Sequence, residues 1–150
     1  MGLKKQDILL KNIKEINKQY YRSKIISYCP TYPEFITGTV RDNIRLFNPD
    51  ATDEQILATF NEIGAANLAV LPSFLDTPLS VRCQLPQQVK ALINVARCVL
   101  KPAEFYIFDG SFINLSNDVV RSVLKKLRAE NKACLFATIN HIICENVDEV

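Results

Sequence analysis

Glycine is scarce in this chain of 150 residues: Gly2, Gly38, Gly64 and Gly110 are the only four. None precedes Lys-Ser or Lys-Thr, and no G-x-G-x-x-G occurs. A loop that cradles phosphates needs glycines, so that several backbone N–H groups converge on one anion with no Cβ in the way. The usual routes by which a small α/β domain holds a nucleotide are therefore closed to these residues. Tryptophan is absent and His141 is the only histidine. The five cysteines, Cys29, Cys83, Cys98, Cys134 and Cys144, include no C-x-x-C pair, and His141 has only Cys144 near it in sequence. Zinc sites cluster their ligands, so no metal site is expected. An odd count at wide spacing fits reduced, mostly buried thiols in a cytoplasmic protein. A nucleophilic cysteine paired with His141 would require the fold to bring the two together.

Charge of one sign is missing as well. The 18 Lys and Arg nearly balance 16 Asp and Glu, a net +2, which gives no electrostatic case for nucleic acid as the main partner. No apolar run approaches the roughly 18 residues that a membrane span needs, and the opening Met-Gly-Leu-Lys-Lys-Gln-Asp does not read as a signal peptide. What is present, 48% hydrophobic and 23% charged residues, suits one globular domain of ordinary size.

Residues 7–10 (Asp-Ile-Leu-Leu) and 24–28 read as short strands, with a polar helical turn at 18–22 between them. Pro30 and Pro33 break regular structure, and residues 38–44 read as a short helix entered from a glycine turn. Thr52 and Gln55 have the spacing of a capping box. Ile56, Phe60 and Ile63 follow at helical spacing, Asp53 and Glu54 suit the first turn, and Gly64 closes the segment. Residues 71–85, punctuated by Pro72 and Pro78, read as irregular. Pro86 suits the first position of a helix whose apolar face is Val89, Leu92, Ile93, Ala96, Val99 and Leu100. Residues 105–108 (Phe-Tyr-Ile-Phe) predict a strand buried on both faces, ended by Asp109-Gly110. The next helix turns Val120, Val123, Leu124 and Leu127 inward and Arg121, Lys125 and Lys126 outward. Residues 134–138 form another buried strand. Strand, helix, strand predicts an α/β fold with a parallel sheet.

Asp109 stands out because it closes an apolar strand at its carboxyl end, where open parallel sheets place ligand chemistry. An Asp-Gly pair is also an ordinary turn. The surroundings of Asp109 carry a family resemblance. Ile26-Ser27-Tyr28-Cys29-Pro30, the run from Phe35 to Ile44, and Asn48-Pro49-Asp50-Ala51-Thr52-Asp53-Glu54 closely resemble the ATP-binding domains of ABC exporters. So do Leu71-Pro72 with Leu75-Asp76-Thr77-Pro78, and Ala96-Arg97 with Val99-Leu100. Residues 105–109 resemble that family's Walker B strand, and Asp148-Glu149-Val150 its Ala-Asp-x-Ile segment. The resemblance extends from about residue 7 to the end. It implies a single, incomplete domain: part of a P-loop NTPase-like parallel sheet, with residues 45–100 corresponding to the helical subdomain.

Against that pattern, the N-terminal strands, the Walker A loop and the last strands have no counterpart in these residues. The Q-loop Pro-Gln is Pro30-Thr31, and the signature Leu-Ser-Gly-Gly-Gln is Leu85-Pro86-Gln87-Gln88-Val89. The catalytic Glu is Gly110, the D-loop is Ile113-Asn114-Leu115-Ser116, and the switch His falls on Ile139, two residues before His141. Asp109 alone would repel a triphosphate unless a metal ion came with it. Mg-ATP is thus expected only if a partner supplies the phosphate loop, and no catalytic residue is assigned. The resemblance implies a degenerate domain serving as a binding or regulatory module on a transmembrane subunit or an intact ATP-binding subunit, with Tyr32, Phe35, Arg41 and Asn43 as candidate partner contacts. The alternatives are a residual ATPase that completes a composite site through Asp109, and a decayed fragment without function. The Walker A strand normally pairs with the strand at 134–138. That edge is expected to be open, with Leu135 and Phe136 partly uncovered, unless the N-terminal residues fold over it.

Overall fold

The computed structural model describes residues 17–69, 73–80 and 85–148. The strand expected at 7–10 lies outside them, as do Leu71, Pro72, Cys83 and Glu149-Val150. The polar lead-in forms one turn, α1 (Lys18–Tyr20), that widens into a π-turn over Tyr21–Ile25. β1 (Ile26–Cys29) follows, with Ser27 and Cys29 buried and Tyr28 turned outward, the two-residue period of a strand.

Gly38-Thr39, expected as the entry to a helix, is instead a two-residue strand, β2 (Gly38–Thr39). It leads into α2 (Val40–Arg45). Thr39 caps that helix reciprocally with Asp42: the Asp42 N–H donates to Thr39 Oγ1 (3.1 Å) and the Thr39 N–H to Asp42 Oδ2 (2.8 Å). α3 (Asp53–Glu62) begins with the capping box predicted for Thr52 and Gln55. It ends at Gly64, whose φ of +82° lets Ala65 N–H reach the Phe60 carbonyl (2.8 Å) and Gly64 N–H that of Asn61 (3.1 Å). α4 (Ala66–Ala69) is a single turn.

The region 71–85 is not wholly irregular. Phe74–Asp76 form a 3₁₀ turn, and β3 (Pro78–Leu79) pairs antiparallel with β2, Gly38 opposite Leu79. A two-residue bridge has no periodicity to read, and a proline fits where its missing N–H is not needed.

In α5 (Gln87–Leu100), Pro86 is the N-cap, one position earlier than expected. The helix buries residues 91–99 on every side, Asn94 and Arg97 included, where the sequence pattern predicts a single apolar face. It lies between β1, α2 and α3, so its polar side chains find partners inside.

β4 (Phe105–Asp109) buries Tyr106 and Phe108 but only half-buries Phe105 and Ile107, a correction to the strand expected to be buried on both faces. α6 (Asn117–Ala129) is capped by Ser116, and it buries Val119, Val120, Val123 and Leu127. Lys126, expected to point outward, is drawn in by Glu62 of α3 and by Glu130. β5 (Ala133–Ala137) precedes α7 (His141–Glu145).

The sheet runs β1-β4-β5, all parallel, with Ile26 opposite Phe105 and Phe105 opposite Ala133. One face carries Ser27, Cys29, Tyr106, Phe108 and Phe136 and packs under α5, to which Ser27 Oγ donates at the Cys98 carbonyl (2.8 Å). Phe108 stacks on Phe136 at 5.2 Å and leans on Phe112 at 5.1 Å. β5 is not buried as its apolar sequence predicts. It is an edge among the described strands, alternating exposed and half-buried residues, with Leu135 55% exposed.

Candidate functional site

The carboxyl end of β4 brings four residues from two strands and their following loops together. Tyr28 pairs with Ile107, so its side chain and that of Asp109, two residues on, leave the same face. The Tyr28 hydroxyl donates to Asp109 Oδ2 at 2.8 Å. That hydrogen bond to the carboxylate raises the phenol's pKa above its ordinary value. Thr31 Oγ1 donates to the Asp109 carbonyl at 2.6 Å, and the Gly110 N–H donates to the Ala137 carbonyl at 2.8 Å. Gly110 has φ +62°, and a Cβ built on it would collide with Thr31 Oγ1. Glycine is required here twice over, by backbone conformation and by space. Next to it Ser111 is buried beside the Cys29 thiol.

The loop that holds Thr31 is fastened to α5. Asn94 Nδ2 donates to the Pro30 carbonyl (2.8 Å) and Arg97 Nη1 to the Glu34 carbonyl (2.9 Å). Arg97 is 4% exposed and has no carboxylate partner among the described residues. Its guanidinium lies 5.2 Å from the Phe35 ring centroid and 4.9 Å from that of Phe47, and it donates to Asn94 Oδ1 (3.1 Å). Burial lowers its pKa, while two aromatic faces and two neutral acceptors hold the charge.

The structure separates the residues singled out as partner contacts. Tyr32 is 78% exposed. Phe35 and Asn43 are buried. Asn43 instead splints the loop before α2, accepting from the Ile36 N–H (2.9 Å) and donating to the Ile36 and Thr39 carbonyls (3.1 and 2.9 Å). Arg41 is half-buried between Asp53 (2.9 and 3.0 Å) and Asp76, and these hydrogen bonds raise its pKa. Ile36 and Leu46, exposed apolar residues on either side of α2, went unnoticed in the sequence.

At the start of α5, Leu85 and Val89 are half-buried against the core, while Pro86, Gln87 and Gln88 are exposed. No side chain caps this end. His141 is exposed as the first residue of α7, and Ile139 is 94% exposed. Cys29 and Cys98 are buried in the core, away from His141, and burial pushes the Cys29 thiol well up. Among the described residues no three His, Cys, Asp or Glu side chains cluster to hold a metal, and no helix is long and apolar enough to cross a membrane.

No protein-family model matches the chain. The ATP-dependent permease MDL1 of Candida albicans is 31% identical over 135 residues, 86% of this chain and 19% of the relative. The relatives of this chain are ABC transporter ATP-binding/permease proteins. The pediocin PA-1 transport/processing ATP-binding protein PedD of Pediococcus acidilactici is 28% identical over 144 residues, 93% of this chain and 20% of that protein. The chain thus spans about a fifth of the length of these relatives. A bacterial Atm1-family ABC exporter solved with ATP bound superposes with a TM-score of 0.77, covering 91% of this chain and 24% of that one, at 19% identity. The α/β fold with its parallel sheet is that of the ABC exporter.

Proposed function

We propose that this ABC-type segment is catalytically silent and serves as a binding or regulatory module on a transmembrane or ATP-binding partner. The closed strand end supports this reading. Magnesium takes oxygen ligands in a near-ideal octahedron and is usually shared between one or two carboxylates and the substrate's phosphates. Here a single carboxylate is present, and one of its oxygens already accepts the Tyr28 phenol. A nucleotide-bound metal at this carboxylate would therefore depend on phosphates held by a partner's loop and would compete with the Tyr28 phenol. A general base at position 110 would need a Cβ where Thr31 Oγ1 stands, and losing a general base costs on the order of 10²–10⁴ in rate, or about 3–5 kcal/mol of barrier. Gln87 and Gln88 place side chains, and Pro86 removes an N–H, where close backbone approach to a phosphate would be needed. Tyr32 and Ile36, exposed in the loop before α2, are the side chains with which this module would meet a partner.

The test mixes the chain with an intact ABC ATP-binding domain and measures ATP hydrolysis with wild-type and Asp109→Ala chains. Equal rates are expected. Loss of hydrolysis on Asp109→Ala would overturn the reading and favour a residual ATPase that uses Asp109 in a composite site.

A further inference from the structure

The chain's charge is nearly balanced, but its distribution is not. Residues 117–132 hold five Lys and Arg against Asp118 and Glu130. On α6, Arg121, Lys125 and Arg128 recur at intervals of four and three, which sets them in one stripe along the helix. All three are exposed, and among the described residues none has a carboxylate within 4.0 Å. Lys126, on the neighbouring face, differs: Glu62 and Glu130 neutralise it. Acids near the stripe are Asp118, one turn earlier on α6, Glu145 at the end of α7, and Asp148, which lines a neighbouring groove together with Leu124, Arg128 and Asn146.

The stripe borders a groove of about 480 Å³ between α6 and the end of α7, lined by Arg121, Leu124, Lys125, Arg128, Ala129 and Asn146. Arg128 Nη2 donates to the Asn146 carbonyl (2.7 Å), which fixes one wall. Leu124 and Ala129 supply apolar surface between the charges.

We propose that this groove docks an acidic peptide segment, its carboxylates meeting Arg121, Lys125 and Arg128 and an apolar side chain resting on Leu124 and Ala129. The cations span two helical turns, about 10 Å, a length that three or four peptide residues cover. Nucleic acid is a poorer match, because no aromatic side chain lines the groove for a base to stack on. A bilayer is also a poorer match: the apolar atoms lie between charged rims, and none of the large exposed apolar residues is on α6. The proposal does not depend on whether Asp109 supports hydrolysis.

The test is fluorescence anisotropy of the full chain with a labelled peptide of sequence Glu-Glu-Leu-Glu-Glu-Leu-Glu-Glu, and with the same peptide carrying Gln for every Glu. Binding is expected for the acidic peptide, weakening as salt rises, and about tenfold weaker with Arg121→Glu plus Lys125→Glu. The neutral pair Arg121→Gln and Lys125→Gln gives the same reading if charge reversal disturbs the fold, which circular dichroism reports. The proposal fails if the Gln peptide binds equally, if the substitutions change nothing, or if the chain ignores the peptide and binds phosphatidylserine vesicles or oligouridine instead.

Discussion

Tyr28 Oη and Asp109 Oδ2 lie 2.8 Å apart and tie the ends of two neighbouring parallel strands together through a phenol–carboxylate hydrogen bond. The carboxylate at the carboxyl end of β4 is therefore engaged by a side chain of the same domain. Thr31 adds a second tie from the following loop to the same residue's carbonyl.

The phenol reports this bond directly. Because Asp109 stabilises the protonated form, Tyr28 titrates above its ordinary value of 10.0. A group with a raised folded pKa contributes stability that is complete below the unfolded value and lost as pH rises through the folded one. Subtracting the alkaline absorbance titration of Tyr28→Phe from that of the wild type should leave one transition above 10.0, and Asp109→Asn should bring that transition back down. An unshifted phenol in the wild type would show that the bond is absent in solution.

Gly110 and Thr31 are coupled by space. Gly110→Ala should lower unfolding free energy by about 1–3 kcal/mol, part from the left-handed backbone and part from the contact with Thr31 Oγ1. Thr31→Ala removes the obstructing atom, so the double variant should be more stable than the sum of the single effects predicts. Urea unfolding of the four proteins measures the coupling, and strict additivity would contradict the geometry.

Arg97 is the other internal tie. Arg97→Ala deletes a cation between two aromatic rings and frees the Asn94 and Glu34 acceptors. The expected loss is about 2–4 kcal/mol in denaturant unfolding. A loss within about 0.5 kcal/mol, the range of an ordinary surface substitution, would mean that the guanidinium is solvated.

Local chemistry was the readable part of this molecule. Thr52 and Gln55 lie three residues apart, and Gly64 ends the helix they start, so the signals for α3 are all within one element. The parallel sheet was legible from the order of the apolar runs, and Asp109 from its place at the end of one. What escaped depends on register and on distant partners. Tyr28 meets Asp109, 81 positions along the chain, only because Tyr28 pairs with Ile107. Phe35, a candidate partner contact by resemblance, is buried with the Arg97 guanidinium against its ring, a pairing across many positions of the chain. Lys126 has an outward position in the helical pattern, and only the approach of α3 with Glu62 reverses it. The exposure of β5 was expected from the family resemblance, which leaves residues 134–138 without their usual neighbour, whereas the strand's own apolar sequence predicts burial.

The all-round burial of α5 has a consequence for how the molecule comes apart. The helix touches the sheet through Ser27 and Cys98 and the shorter helices through its other sides, so both regions share one apolar interior. Pulling the helical half from the strands would strip that shaft bare, and the two halves should therefore melt as one.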